Sequence, residues 1–319
     1  MSNEIRIQPS SEQIVRGKPI VVPVTVVLDR PLKVRGIHAK FQGAEETKAV
    51  YTTTSTDGKG RTTTQTHTAV QHIDVTTQAY LLAGNDRLGF FGNLSDAIAT
   101  IFGGGQHETM PPGEYPFKIE VSIPEDAPPT HVGKKTRVFY ELSVQVDVPL
   151  AFDLKTVQSF HVMPLPASYE TNPIRTRYPD DEGRGFFDSL FAPNVEIEMA
   201  LSADKFRLGE SIEGIFCVET KDPLNCNAIR VRLVGIENSQ AHGHVDRFTH
   251  QTEAVELSAP GVMTGSYKEE FQFVADTTAP LSASGELFSI EWFVQIELDV
   301  PWAKDPKIRA PIELHPAGR

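Results

Sequence analysis

The chain writes one strand twice. Residues 139–155 read FYELSVQVDVPLAFDLK, and residues 291–307 read EWFVQIELDVPWAKDPK. Around these stretches Gly113 and Gly265, Tyr115 and Tyr267, Pro128 and Pro280, Gly133 and Gly285, Asp147 and Asp299, Asp153 and Asp305, and Pro164 and Pro316 all stand 152 positions apart. Nearer the start of each copy, Gly17 and Gly209, Ile37 and Ile229, Gly43 and Gly235, and Glu45 and Glu237 stand 192 apart. A gapless register over two long blocks means two copies of one folding unit. The drop from 192 to 152 leaves 40 additional residues in the first copy, between Glu45 and Gly113.

The repeated stretch has a period of two. Tyr140, Leu142, Val144, Val146 and Val148 alternate with Glu141, Ser143, Gln145 and Asp147, the pattern of a strand with one buried face. Phe117, Ile119, Val121 and Ile123 alternate in the same way, as do Ile290, Trp292, Val294, Ile296 and Leu298. Further runs occur at 195–201, 229–233 and 271–273. Many short strands between Pro, Gly, Asn and Asp clusters, with little helical periodicity, predict an all-β protein of antiparallel sandwiches. A length of 319 residues lets each half bury a core of its own. The expected domains are 1–166, carrying an insertion at 46–112, and 193–319. The intervening 167–192, rich in Pro, Gly and charge, reads as a linker.

Charge and cysteine usage exclude several classes of function. With 30 Lys and Arg against 42 Asp and Glu, the net charge of −12 repels phosphate backbones, and no basic patch is segregated, so nucleic acid is not an expected partner. The opening MSNEIRIQPS has no basic segment followed by an apolar run, and the two cysteines, Cys217 and Cys226, lack metal-like spacing. Both point to a cytoplasmic protein. Cys217 is expected in the core. The apolar run 88–105 is broken by Asn93, Ser95, Asp96 and Thr100 and is too short to span a bilayer, so any membrane contact is peripheral.

No constellation for catalysis emerges. His242, His244, Asp246 and His250 read as a solvated loop rather than a zinc site, because no further ligand sits at a recognised spacing. Gly103, Gly104 and Gly105 lack the strand and helix of a phosphate loop. Asp153 and Asp305 recur in both copies, which favours aspartates that cap turn amides over a paired acid site. The expectation is no metal, no cofactor and no enzymatic activity.

The block GEYPFKIEVSIPEDAPPTHVG (113–133), followed by FYELSVQVDVPLAFDLKT, resembles the arrestin fold, with its Gly-x-x-x-Phe turn, its Pro-Pro turn and an aromatic-led strand ending in Asp-x-Pro. The front block, with Gly17, Val34-Arg35-Gly36-Ile37 and Gly43-Ala44-Glu45, resembles the arrestin N-domain. The resemblance implies two tandem immunoglobulin-like, arrestin-type sandwiches and a non-enzymatic scaffold or adaptor that binds protein or peptide partners in trafficking or signalling. Departures narrow it. Pro111-Pro112-Gly113-Glu114-Tyr115 is one residue longer than the Pro-Pro-x-Tyr of ubiquitin-ligase adaptors. The first strand, IRIQP, holds only Arg6 in place of a phosphate-sensing Lys pair, and QSFHVMP (158–164) has no arginine for a polar core. Retromer-type adaptors and bacterial arrestin-like proteins are the better comparison. The alternative is an extracellular or cell-envelope binding or structural sandwich, and an enzyme comes last.

The insertion is the most individual segment. Residues 52–77 are dense in threonine and contain Asp57-Gly58, so they predict a long hairpin turning at that dipeptide. Leu94, Ile98, Ile101 and Phe102 predict a short amphipathic helix over 94–102, which either packs on its own sheet or docks a partner or membrane. The expected partner-binding residues are Tyr51, Thr53, Thr54, Asp57, Lys59, Arg61 and Thr64 in the hairpin, with Phe90 and Phe91 beyond it. The identity of the partner and the oligomeric state are open at this level.

Overall fold

A computed structural model describes residues 3–9, 13–84, 108–149, 151–163, 170–178, 194–252, 254–257, 261–275, 278–303 and 305–317. All regular structure among them is strand, so the protein is all-β as its period-two patterning requires. The helix expected over 94–102 lies outside the described residues. The chain forms two compact units, one of Met1–Thr47, Val70–Val132 and Arg137–Ala167, the other of Lys48–Ala69, Gly133–Thr136 and Ser168–Arg319.

In the first unit, β1 (Glu4–Ile7), β3 (Ile20–Leu28) and β8 (Gly113–Val121) form an antiparallel sheet with β3 in the middle. A second sheet runs β2 (Gln13–Ile14), β11 (Leu154–Val162), β10 (Thr136–Asp147), β5 (Gly36–Thr56) and β6 (Thr62–Gly84), with β9 (His131–Val132) pairing β10. The short strands β4 (Leu32–Val34) and β7 (Glu108–Met110) pair with each other. Val22, Val24, Val26, Ile119 and Val121 from one sheet, and Phe41, Tyr140, Leu142, Val144 and Phe160 from the other, are buried. Each such side chain contributes about 1.5–3 kcal/mol of transfer free energy.

The second unit repeats the plan. One sheet runs β12 (Ile174–Tyr178), β13 (Val195–Leu201), β15 (Ser211–Cys226) and β19 (Gly261–Val274). The other runs β14 (Lys205–Arg207), β22 (Lys307–His315), β21 (Phe288–Asp299), β16 (Ala228–Ala241) and β17 (His244–Gln251), with β18 (Val255–Glu256) on β16 and β20 (Ala283–Ser284) on β21. Strand β12 falls inside the segment read as linker. Its alternating Ile174, Thr176 and Tyr178 sit between Pro173 and Pro179 and pair along β13 from Ile174↔Leu201 to Tyr178↔Ile197.

The duplication is carried by individual hydrogen bonds. Gly17 N donates to Ile123 O, and Gly209 N to Ala275 O, both at 2.9 Å and with φ of 74° and 82°, a conformation that glycine adopts freely. The Tyr140 hydroxyl donates to Pro128 O at 2.6 Å, and Trp292 Nε1 to Pro280 O at 2.9 Å. Asp153 Oδ1 accepts from Val148 N at 2.9 Å, and Asp305 Oδ1 from Val300 N at 3.0 Å, so both aspartates cap their turns. The short parallel pairings β2 with β11 and β14 with β22 also match, His161↔Gln13 answering Glu313↔Lys205. A Cβ on Gly43 would collide with the Tyr140 ring, and one on Gly235 with Trp292. The constant offset is therefore a repeated packing solution, in which a strand glycine admits a large ring.

Two expectations need correction. Cys217 is only half-buried, because its register partners are the exposed Glu198 and Lys268 and its side chain shares their face. Cys226 is the cysteine in the core. The hairpin does not turn on a two-residue Asp-Gly. Asp57 N donates to Arg61 O and Gly60 N to Asp57 O, each at 2.9 Å, so the loop has three residues, closed by Gly60 at φ 78°.

Candidate functional site

The second unit contains a polar network built on the β16–β17 hairpin. Its turn, His242-Gly243, has φ of 50° and 80°, the left-handed pair that a two-residue hairpin turn demands. Register pairs Gly235 with His250, Glu237 with Phe248, Ser239 with Asp246 and Ala241 with His244, so these residues share one face. The segments 48–51 and 133–136 are held on that face.

Glu237 is the centre, with 0 % exposure. Its Oε1 accepts from Lys135 N at 2.8 Å and Thr136 Oγ1 at 2.7 Å, and its Oε2 from Lys134 N at 2.9 Å and His250 Nε2 at 2.8 Å. Burial pushes the carboxyl's pKa up, but the two amides, the hydroxyl and the imidazole outweigh it and hold the group below the ordinary carboxylate range. Glu237 is therefore ionised. Asp246 Oδ2 accepts from Val50 N and pairs with Lys135 Nζ, each at 2.9 Å, while Ser239 Oγ donates to Lys48 O at 2.8 Å. Asp246 too is held below its usual range, burial opposing and the Val50 amide and Lys135 prevailing. The loop read as solvated is thus a strand whose polar side chains anchor backbone.

Above the network lies a hollow of about 440 Å³, lined by Lys134, Phe248, His250, Thr252, Pro280 and Trp292. A carboxylate already saturated by four donors has little capacity left to take a substrate proton. Burial raises the pKa of Cys226, which disfavours the thiolate. Among the described residues no group of three or more His, Cys, Asp and Glu converges to hold a metal, and no helix is long and apolar enough to cross a membrane. What the arrangement does is grip chain segments.

The hairpin residues singled out in the sequence divide into two sets. Tyr51 is half-buried in a stack, 3.6 Å from His244 at an interplanar angle of 3° and 5.3 Å from His67 at 26°. Thr53 hydrogen-bonds His67 Nε2 at 2.8 Å yet remains exposed. Thr54, Asp57, Lys59, Arg61 and Thr64 are exposed, with Asp57 Oδ1 accepting from the Lys59 and Arg61 amides at 2.9 Å. Those amides lower the Asp57 pKa. Phe90 and Phe91 lie outside the described residues. The reading of the sequence missed Glu237, Lys134, Lys135 and Thr136. One signal was available: Glu237 falls on the apolar side of its strand, two residues after Gly235, as Glu45 follows Gly43, and Glu45 is buried too.

Residues 94–167 match the family model for the N-terminal domain of arrestin (or S-antigen). No curated protein matches the chain. Arrestin-like proteins are in general non-enzymatic and bind protein partners. The matched region holds β8 to β11, the Pro-Pro turn at Pro128 and the buried Tyr140. Over residues 94–167 the chain is thus similar to the N-terminal domain of arrestin.

Proposed function

We propose that this protein is a cytoplasmic, non-enzymatic adaptor that presents its hairpin to protein partners, in trafficking or signalling. The observation that carries the reading is the contrast along β5 and β6. The base of the ribbon is clamped by the Tyr51 stack and by Asp246, while its tip, from Thr52 to Thr66, is exposed on both strands. A rigidly rooted, exposed ribbon offers backbone and side chains to a partner at little ordering cost. Two free cysteines fit a reducing compartment. Thr53, Thr54, Asp57, Lys59, Arg61 and Thr64 form the proposed contact set. The test is affinity purification with mass spectrometry of the full chain beside a chain whose residues 53–66 are replaced by an Asp-Gly turn. Loss of specific partners at an unchanged melting temperature supports the reading. Retention of every partner, or catalytic turnover by the purified chain, overturns it.

A further inference from the structure

The outer edge of the hairpin points to a second copy of the same chain. Among the described residues, β6 pairs only with β5 and ends its sheet. The bond from Asp57 N to Arg61 O makes 57 and 61 a hydrogen-bonded pair, so 63, 65 and 67 bond to β5. The contact of Thr56 Oγ1 with Thr62 Oγ1 at 3.4 Å and the Tyr51–His67 stack agree with that register. Thr62, Thr64, Thr66 and Thr68 consequently turn their backbone N–H and C=O outward, to the unpaired edge.

Protein edges of this kind are normally guarded by charge, proline or a bulge. Residues 62–73, TTTQTHTAVQHI, contain no Asp, Glu, Lys, Arg or Pro. The ribbon also escapes the repulsion that the rest of the chain would exert on a copy of itself. The chain carries −12, but between 52 and 68 the only charges are Asp57, Lys59 and Arg61, a local balance of +1. The edge sequence is nearly palindromic about Gln65. In an antiparallel pairing across a two-fold axis there, Thr64 meets Thr66 of the second copy, Thr62 meets Thr68, and Thr63 meets His67.

We infer that the protein forms an isologous dimer by antiparallel pairing of β6 with β6 of a second copy, centred on Gln65. The two ribbons become one four-stranded sheet, which removes the marginal character of an isolated two-stranded ribbon. Parity keeps even positions on one face, so Thr52, Thr54, Thr56, Thr62, Thr64, Thr66 and Thr68 of both copies form a continuous threonine surface, joined by cross-strand hydroxyl pairs. The inference stands on the edge itself and does not depend on the adaptor reading.

Sedimentation velocity of the full chain over roughly 1 to 100 µM tests it, since a dimer reads as twice 35.2 kDa. The double variant Thr64→Lys, Thr66→Lys sets lysines opposite one another at exposed positions and should abolish the dimer while leaving the melting temperature unchanged. Position 65 faces its own copy in a non-hydrogen-bonded pair, where Cα atoms approach to about 4.5 Å. Gln65→Cys should therefore give a covalent dimer on mild oxidation, and Thr63→Cys, with the same native cysteines, should not. A monomer at every concentration, a dimer that survives the lysines, or equal cross-linking at 63 and 65 would overturn the proposal.

Discussion

His250 Nε2 lies 2.8 Å from Glu237 Oε2, and through that contact β17 completes the shell of a carboxylate whose other donors come from residues 134–136. The depressed pKa of Glu237 has a consequence for acid stability. Its contribution is complete above the ordinary carboxyl value of 4.5 and is lost as pH falls through the lower folded value. Urea midpoints measured from neutral pH down to about pH 3 should fall more steeply for the native chain than for Glu237→Gln, which has no proton to gain. Parallel curves would mean that other carboxyls govern acid unfolding.

Trp292 is the largest fully buried side chain, and its counterpart Tyr140 holds the same place in the other copy. Trp292→Ala should cost about 3–5 kcal/mol. Tyr140→Phe, which only strands Pro128 O, should cost about 1–2 kcal/mol. Chemical denaturation followed by far-UV dichroism reads both losses, and a Trp292→Ala midpoint equal to that of the native chain would contradict the burial.

Gly235 touches that ring. A methyl there would sit 2.8 Å from Trp292 Cη2 and Cζ2. Gly235→Ala is expected to destabilise by about 1–3 kcal/mol through overpacking. Adding Trp292→Phe should recover part of the loss, because the smaller ring leaves room. If the double variant is no better than the sum of its singles, the clash is not the cause.

Tyr51 joins the hairpin to His244. Tyr51→Ala removes both ring contacts and should lower stability by about 1–2 kcal/mol, with faster amide exchange confined to 48–69 and 244–250. Exchange rates unchanged in those segments would show that Asp246 and Ser239 suffice to hold the base.

The strands were legible in the sequence because each buries one face, and the repeat supplied the same evidence a second time. Asp153 and Asp305 were legible as turn caps for the same reason. Glu237 was not, since three of its four partners lie 101 to 103 residues away and no local pattern announces a contact at that separation. Cys217 illustrates a finer limit. It stands between Phe216 and Val218, both buried, and a slip of one position reverses the face a strand residue takes. Strand β12 was hidden by the prolines and charges around its five residues, and the hairpin loop by two glycines, of which Gly60 rather than Gly58 takes the left-handed conformation.

A chain that spells its closing strand twice also offers each half a wrong strand to fold against. The two versions carry different keys. Tyr140 ends in a hydroxyl that must reach Pro128 O, whereas Trp292 presents an indole N–H to Pro280 O and a wider ring to Gly235. An exchange would leave a phenol where the pocket is cut for an indole, and an indole where it is cut for a phenol. Each closing strand is thereby matched to the gap beside the glycine of its own half.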